Sequence, residues 1–224
     1  MSRFVYARSE PGFEFCAKTL QKSGLGSNFG PQHCDFVGRR ITRTKDGYEV
    51  TCLEKIVERL AQDLHIEGCG VVKTPSVKYT RSQLEKATPL PAEEVSFFRR
   101  VLGMELYLAN QQRWLELQFP CTQAARGGAH PSTIDMWRVK RIAKYIVTHR
   151  ATTSYLKDLT KENLKSVVDA DWAGEPETRR STSGGLLLWR RCLLSSWSRT
   201  HQVLALSSSE SEYYSLTTGL QEAM

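Results

Sequence analysis

Four carboxylates in the last third of the chain are spaced so that they could hold divalent cations. Asp169 and Asp171 are two apart in SVVDADWAG, and side chains i and i+2 of a strand point to the same face. Glu210 and Glu212 follow a serine run in the first turn of a predicted helix, where the helix dipole favours negative charge. Clustered carboxylates repel one another unless a cation lies between them, and Mg²⁺ or Mn²⁺ suits such oxygen ligands. Two ions of this kind can activate water for phosphodiester hydrolysis.

The same acidic residues also have a simpler structural interpretation. Acids at strand ends and in first helical turns are common in proteins that bind no metal, so spacing alone favours this interpretation. His65 and Cys69 are another pair that could share a metal, but no Cys-x-x-Cys pair supplies the remaining ligands of a zinc site. The residue types alone therefore leave the metal site undecided.

Three strands and one helix are predicted to position the acids. One short strand ends at DADWAG, and STSGGLLLWRRCLLSSWSR predicts two strands around a turn near Arg190–Arg191. A helix follows the serine run, with Ser207, Ser208 or Ser209 as its N-cap. This partial sheet would leave an exposed edge and bury little surface, which favours aggregation and low stability.

The preceding chain predicts a β-hairpin, a linker and helices. An Asp-Gly turn in DFVGRRITRTKDGYEVT predicts the hairpin, and apolar residues recurring on one face predict the helices. The elements are a short helix near Phe15–Gln21, strands Phe36–Arg43 and Tyr48–Thr51, a helix over Leu53–Ile66, and two helices starting near Glu93 and Ser132. The predicted segments are 1–33 (unassigned), 34–75 (hairpin and helix), 76–92 (linker), 93–158 (helical) and 159–224 (partial sheet with one helix).

The helix starting near Ser132 is strongly basic. Arg138, Lys140, Arg141 and Lys144 occupy much of its polar surface, and the whole chain has a formal net charge of +7. Cations in a row can contact nucleic-acid phosphates and release counterions. A solvated helix face is the competing interpretation, since charge runs usually have that role. Four aromatic residues are predicted to be core residues: Trp137, Tyr145, Trp172 and Trp197.

The composition is that of a globular protein. Hydrophobic residues make up 40% and charged residues 25% of the 224 residues. No apolar run approaches the roughly 20 residues that span a bilayer, and the first residues lack a secretory signal pattern, so no membrane partner is expected. The six cysteines are scattered and predict reduced thiols. We therefore expect a cytoplasmic or nuclear protein.

Several segments, in order, resemble the Pol polyprotein of copia-type LTR retrotransposons. DADWAG, RRSTSGG and SSWSRTHQVLALSSSESEY are similar to that family's ribonuclease H series DADWAG…RRSTSG…ISWSSKKQ…VALSSTEAEY. Upstream, FFRRVLGMELYLAN resembles YRSLVGSLLYLAN, MWRVKRIAKYI resembles HWxAAKRVLRYL, and FVGRRITRTKDGYEVTCLEKIVERL resembles the end of the reverse transcriptase. The resemblance covers about residues 34 to 224. It implies a mixed α/β fold, in which a reverse-transcriptase thumb and connection remnant precedes a partial ribonuclease H-like three-stranded sheet with one helix.

The resemblance also implies roles for the four acids. Asp169 matches the first catalytic aspartate of the family, and Asp171 is the less favoured choice. Glu212 matches the catalytic glutamate by alignment with EAEY, and Glu210 is the runner-up. These residues would hold Mg²⁺ or Mn²⁺. The implied partners are an RNA–DNA hybrid and the remainder of the polyprotein.

Departures from the family pattern predict that this chain is inactive alone. The family uses four catalytic carboxylates, and the last two belong to segments beyond Met224. No YVDD-type pair of aspartates occurs upstream, so the polymerase site is missing. We therefore expect a fragment whose parent cleaves RNA in RNA–DNA hybrids. The alternatives are a non-catalytic nucleic-acid-binding module that uses the basic helix, and a decayed retroelement product with no function.

Overall fold

The computed structural model describes residues 26–29, 33–36, 39–45, 47–52, 54–111, 115–149, 152–156, 164–175, 178–189 and 192–224. These residues form a mixed α/β structure with six helices and two antiparallel sheets. The helices are α1 (Glu54–Leu64), α2 (Arg81–Glu85), α3 (Ala92–Gln111), α4 (Leu115–Arg126), α5 (Thr133–Thr148) and α6 (Ser208–Ala223). The strands are β1 (Gly26–Phe29), β2 (His33–Phe36), β3 (Arg39–Arg43), β4 (Gly47–Cys52), β5 (Thr152–Leu156), β6 (Leu164–Asp171), β7 (Thr182–Trp189) and β8 (Cys192–Thr200). The predicted helix near Phe15–Gln21 and the turn at Arg190–Arg191 lie outside the described residues.

The first sheet has the order β1-β2-β3-β4-β5 and is antiparallel throughout. It contains the predicted hairpin, because β3 pairs with β4 and the Thr44 N–H donates to the Gly47 carbonyl at 2.9 Å. The prediction of one strand over Phe36–Arg43 is wrong. β2 ends at Phe36 and pairs with β3, so that Phe36 lies opposite Arg39. An alternating run of residues does not reveal where one strand ends and its antiparallel neighbour begins.

β5 completes the first sheet from a segment that the sequence predicts to be helical. Thr153 of β5 lies opposite Val50 of β4. The segment 93–158 therefore contains a strand as well as helices. The pairing joins residues that are far apart in the chain, so no local pattern indicates it.

Four helices, α1, α3, α4 and α5, pack around the principal apolar core. Leu60 of α1, Phe98 of α3, Leu117 of α4 and Ile142 of α5 are each at most 1% exposed. The predicted helix over Leu53–Ile66 agrees with α1 within two residues at each end. None of the helices in the described part of the chain is long and apolar enough to cross a membrane.

α5 begins with the capping arrangement that the sequence predicts. The Ser132 hydroxyl accepts a hydrogen bond from the Asp135 backbone N–H, and the Asp135 carboxylate accepts one from the Ser132 backbone N–H at 2.9 Å. This capping box satisfies donors that the first helical turn leaves without partners. It fixes the start of the basic helix.

Two helices are additional to the individual helices that the sequence predicts. α4 contains Pro120, which removes a backbone donor and normally disfavours a helix interior, but burial of Leu117 and Cys121 stabilises α4 against the core. α2 lies within the predicted 76–92 linker and begins with a Thr80–Gln83 capping box. Pro75 precedes that segment, and Pro89 and Pro91 follow α2 within it, so no proline interrupts Arg81–Glu85.

The second sheet has the order β6-β7-β8, and α6 covers one of its faces. Gly219 of α6 lies directly against the side chains of Ser166 and Val168 on β6. The N-cap of α6 is Ser207, whose hydroxyl accepts a hydrogen bond from the Glu210 backbone N–H. The predicted three antiparallel strands and one helix are therefore present.

The aromatic core predictions are half right. Tyr145 and Trp197 are buried, at 9% and 5% exposure. Trp137 and Trp172 are 53% and 49% exposed, so their prediction as core residues is wrong. Trp137 lies on the outer side of α5, and the Trp172 indole N–H donates to the Ala205 carbonyl at 3.0 Å outside the sheet. A polar contact at the sheet end thus replaces the expected burial of Trp172.

Candidate carboxylate site and basic groove

β6 places Asp169 and Asp171 on the same face of the second sheet. Asp169 lies opposite Gly184 and Asp171 lies opposite Thr182 across the β6–β7 pairing. Because Ser166 and Val168 face α6, the alternate residues of β6 face the other way. These alternate residues, which include Asp169 and Asp171, line an open groove of about 360 Å³ between the sheet and α4. Leu115, Gln118 and Phe119 of α4 also line this groove.

Asp171 has a structural environment at the end of β6. Its carboxylate accepts a hydrogen bond from the Thr182 backbone N–H at 2.9 Å. Gly174 lies so close that a Cβ there would overlap the Asp171 carboxylate. Arg126 of α4 donates to the Thr182 hydroxyl at 2.9 Å and forms an ion pair with Glu175. Burial lowers the pKa of Arg126, and the nearby Asp171 charge opposes that change. Asp171 therefore stabilises the packing of the end of β6 against β7 and α4.

Asp169 has no such partner. Its side chain is exposed, and no hydrogen bond or ion pair of its carboxylate occurs within the described residues. Gly184, opposite Asp169, has open space where a Cβ would stand. The Asp169 carboxylate is therefore accessible to a ligand in the groove.

Glu210 and Glu212 belong to the helix that covers the opposite face of the sheet. The Ser215 hydroxyl of α6 donates to the Asp169 carbonyl at 2.9 Å, which holds α6 against β6. The Glu210 carboxylate accepts hydrogen bonds from the Leu206 backbone N–H at 2.7 Å and from the Tyr214 hydroxyl at 2.8 Å. Both bonds stabilise the charged form and lower the pKa of Glu210. Glu212 is exposed to solvent.

The donor set does not fit a site for two divalent ions in this arrangement. Asp169 and Asp171 share the groove, but Glu210 and Glu212 are on the far side of the sheet. No group of three or more His, Cys, Asp or Glu side chains is arranged to hold a metal within the residues that the structure describes. A cation in the groove would find two carboxylates, fewer than a site of this kind needs.

Sequence reasoning missed a buried polar pair behind the carboxylates. The Ser183 hydroxyl and His201 Nε2 form a hydrogen bond, with Ser183 1% and His201 9% exposed. His201 also packs edge-on against Tyr214 of α6. Burial lowers the pKa of His201, and the charge of Asp171 partly opposes this. Because Ser183 has no access to substrate, the pair serves to link β7, the end of β8 and α6.

The basic helix is partly occupied by contacts within the chain. Arg138 forms an ion pair with Asp135 at 2.8 Å and lies over the Tyr79 ring, 5.6 Å from its centroid. Arg141 donates to the Thr74 hydroxyl at 3.1 Å. Lys140 is exposed, and Lys144 is half-buried. Among the described residues, the side chains of Lys140 and Lys144 make no hydrogen bond or ion pair, so these two lysines are the members of the basic helix that are free to contact phosphates.

A second positive surface, which the sequence does not predict, lies between α1 and α3. It is an open groove of about 550 Å³ and is lined by Lys55, Ile56, Arg59, Arg100, Gly103, Met104 and Tyr107. We call it the basic groove. Arg100 and Arg59 share Asp63 at 3.3 and 4.0 Å, so the three cations of the groove exceed this one acid in charge. Its cations come from two helices that are distant in the sequence, which explains why no local charge run indicates it.

Comparison with known proteins connects the chain to retroelements. It is 25% identical over 188 residues to the retrovirus-related Pol polyprotein from transposon RE2 of Arabidopsis thaliana, covering 84% of this chain and 12% of that protein. It is also 25% identical over 206 residues to the Pol polyprotein from transposon TNT 1-94 of Nicotiana tabacum, covering 88% of this chain and 15% of that protein. The chain is a homologue of retrotransposon Pol polyproteins. The resemblance to the copia-type family is confirmed.

Two further relatives are much shorter than the polyproteins. The uncharacterized mitochondrial protein AtMg00810 of Arabidopsis thaliana is 27% identical over 191 residues, covering 84% of this Pol homologue and 76% of the relative. The secreted RxLR effector protein 161 of Plasmopara viticola is 38% identical over 89 residues, covering 38% of this chain and 61% of that protein. No family model and no solved structure matches the chain. The chain spans less than a sixth of the length of the Pol polyproteins it matches.

Proposed function

We propose that this Pol homologue joins the end of a reverse transcriptase to an incomplete ribonuclease H, and that the parent activity is Mg²⁺-dependent cleavage of RNA in RNA–DNA hybrids. The homology to Pol polyproteins supports this, together with three antiparallel strands followed by one helix. The resemblance assigns catalysis to Asp169 on β6 and Glu212 on α6. It leaves Asp171 and Glu210 as further metal ligands.

The chain alone, we propose, has no hybrid-cleaving activity. The observation that carries this proposal is the division of the carboxylates between the two faces of the second sheet. Asp169 and Asp171 face the groove beneath α4, and Glu212 stands on the helix that covers the other face. A two-ion mechanism requires carboxylates that converge on ions about 4 Å apart. The groove supplies only two of these groups.

A labelled RNA–DNA hybrid tests the proposed inactivity of the chain. We expect no Mg²⁺-dependent cleavage by the chain, while an authentic ribonuclease H cuts the same hybrid in parallel. The Asp169→Asn variant should behave like the unchanged chain, because no complete metal site exists to be lost. Cleavage by the unchanged chain that disappears in Asp169→Asn would contradict the proposed inactivity and support the catalytic assignment. Cleavage that is equal in both proteins would indicate a contaminating nuclease.

A second candidate function is non-catalytic binding of nucleic acid through the basic groove. The specific observation is that Lys55, Arg59 and Arg100 line one open groove, which Ile56 and Met104 also line. Phosphate oxygens would meet cations on both walls, and each contact would release a counterion. The competing site is the basic helix α5, where Lys140 and Lys144 are the best-placed cations.

Salt-dependent binding to a fluorescent hybrid distinguishes the two surfaces. The double variant Lys55→Gln and Arg59→Gln should weaken binding about tenfold or more and reduce the log–log salt slope by about two, one unit per lost phosphate contact. The matched control, Lys140→Gln with Lys144→Gln, should leave both quantities nearly unchanged. If the Lys140→Gln and Lys144→Gln variant lost more binding affinity than the basic-groove variant, the binding site would be the basic helix. A wild-type slope near zero would rule out phosphate binding at either surface.

A further inference from the structure

The outer edge of β6 is unpaired in the described structure. The sheet order is β6-β7-β8, and no described strand lies on the other side of β6. The strand runs for eight residues, LKSVVDAD, without a proline or a bulge. Leu164 and Val167 on it are 44% and 40% exposed. An exposed edge of this length presents N–H and C=O groups that can pair with another strand.

An apolar flank of α6 lies beside the same edge. Tyr214 contacts His201, just after β8, and Glu222 forms an ion pair with Arg199 of β8, so this side of α6 faces β8. On a helix of 3.6 residues per turn, Leu216 and Leu220 fall on the opposite flank, toward the free edge of β6. They are 50% and 59% exposed. The unpaired strand edge and the exposed leucines therefore form one continuous surface.

The residues of β6 are complementary to a second copy of themselves. Lys165, Val167 and Asp169 point to one face, with Val167 in the middle. We propose that two copies of this chain associate through antiparallel pairing of β6 about a two-fold axis at Val167. Lys165 of each copy then lies opposite Asp169 of the partner subunit, which gives two cross-strand ion pairs on one face. Such a contact is isologous and closes as a dimer instead of growing into a filament.

The same pairing brings the two α6 helices to packing distance. α6 lies across β6 and β7, so its axis is about half a strand spacing inside the edge strand. With strands about 4.8 Å apart, the two helix axes would be about 10 Å apart, which is within the ordinary range for packed helices. Gly219 lies against Ser166 and Val168. The next residue, Leu220, is therefore at the same height along β6 as the proposed two-fold axis at Val167. The two Leu220 side chains would meet across that axis and cover each other.

Charge reversal and restoration test the register of this dimer. Sedimentation equilibrium of the full chain, without nucleic acid, should show a monomer–dimer equilibrium. Lys165→Glu or Asp169→Lys should each raise the dissociation constant about tenfold or more, because like charges then lie opposite each other. The combined Lys165→Glu and Asp169→Lys variant should return to within about threefold of wild type, since the ion pairs are rebuilt with opposite polarity. Lys140→Glu, the same charge change on α5, serves as the control and should have no effect.

Substitution on the helix flank gives an independent test. Leu220→Glu should weaken the dimer, while Leu206→Glu, at a residue 81% exposed and outside the flank, should not. Circular dichroism checks that each variant keeps its fold. A wild-type chain that stays monomeric at 100-fold increasing concentrations, or a combined charge variant that fails to recover, would overturn the proposal. Open-ended aggregation that is insensitive to the charge reversal would overturn it too, in favour of nonspecific edge pairing.

Discussion

Replacing Glu105 by leucine should stabilise the protein strongly. The Glu105 side chain is 0% exposed on α3, and among the described residues neither carboxyl oxygen has a partner in full hydrogen-bond geometry. Its surroundings are apolar, with the buried Cys121 thiol of α4 close by. An unsatisfied buried polar group costs about 1–3 kcal/mol, and more when it is charged. In the copia-type segment that resembles FFRRVLGMELYLAN, the aligned position is leucine.

The stabilisation by leucine should grow with pH. Burial raises the pKa of Glu105 well above its usual range, and the backbone near Ala143 offsets this only in part. Below about pH 4 the carboxyl is protonated in both folded and unfolded chains. As the pH rises, the unfolded state ionises first, and the wild-type protein loses about 1.4 kcal/mol of stability per pH unit until the folded-state pKa is reached. A leucine cannot titrate, so its advantage increases through that window.

Glu105→Gln separates ionisation from the burial of a polar group. Glutamine has the same shape and does not titrate, but it still buries unsatisfied polar atoms. Urea unfolding at pH 5 and pH 8 should show that both variants remove the same part of the pH dependence, while only leucine gains stability at pH 5. Comparison of each variant with wild type cancels the titration of other groups, His201 included. If leucine and wild type had equal stability at both pH values, the carboxyl would have to reach water or a partner.

Much of the helical core was predictable because periodicity depends on local residues. The apolar stripes of α1 and α3 and the Ser132 cap of α5 place these helices correctly. α4 and β5 were not predictable in the same way. Pro120 in the middle of α4 argues against a helix when the sequence is taken alone. The helix is stabilised by contacts of α4 with the other helices, which the sequence pattern does not show. β5 exists as a strand because β4 is beside it, and that partner is remote in sequence.

The candidate site shows the same division between local and nonlocal information. The i, i+2 spacing correctly places Asp169 and Asp171 on one face. Which face α6 covers depends on Gly219 fitting against Val168, a contact between distant segments. The side of the sheet that receives Glu210 and Glu212 was therefore beyond local reasoning. The basic groove was not predictable for the same reason, since its cations share a surface only when α1 and α3 pack together.

Gly185→Ala should strongly destabilise the second sheet. Gly185 of β7 lies opposite Val168 on β6 and Trp197 on β8, and the Trp197 ring covers its Cα. An added Cβ would overlap the ring atoms of Trp197, which is 5% exposed. The ring must move, and with it the packing beneath α6. Overpacking of this kind costs about 1–3 kcal/mol, and we expect the upper end because a ring cannot bend away.

The neighbouring glycine provides a matched control for this second prediction. Gly184 is on the opposite face of the same strand, where a Cβ would meet nothing within 4 Å. Gly184→Ala should therefore leave the urea midpoint unchanged or raise it slightly, because alanine restricts the unfolded chain. Combining Gly185→Ala with Trp197→Leu should cost less than the sum of the two single changes, since the smaller side chain leaves room for the methyl group. Equal effects of the two alanines, or strict additivity in the combined variant, would contradict the close packing of Gly185 against Trp197. Because the strand and the residue change are matched, the difference between the two alanines reports on the close packing on the face that α6 covers, where Gly185 is buried and Gly184, on the other face, is half-buried.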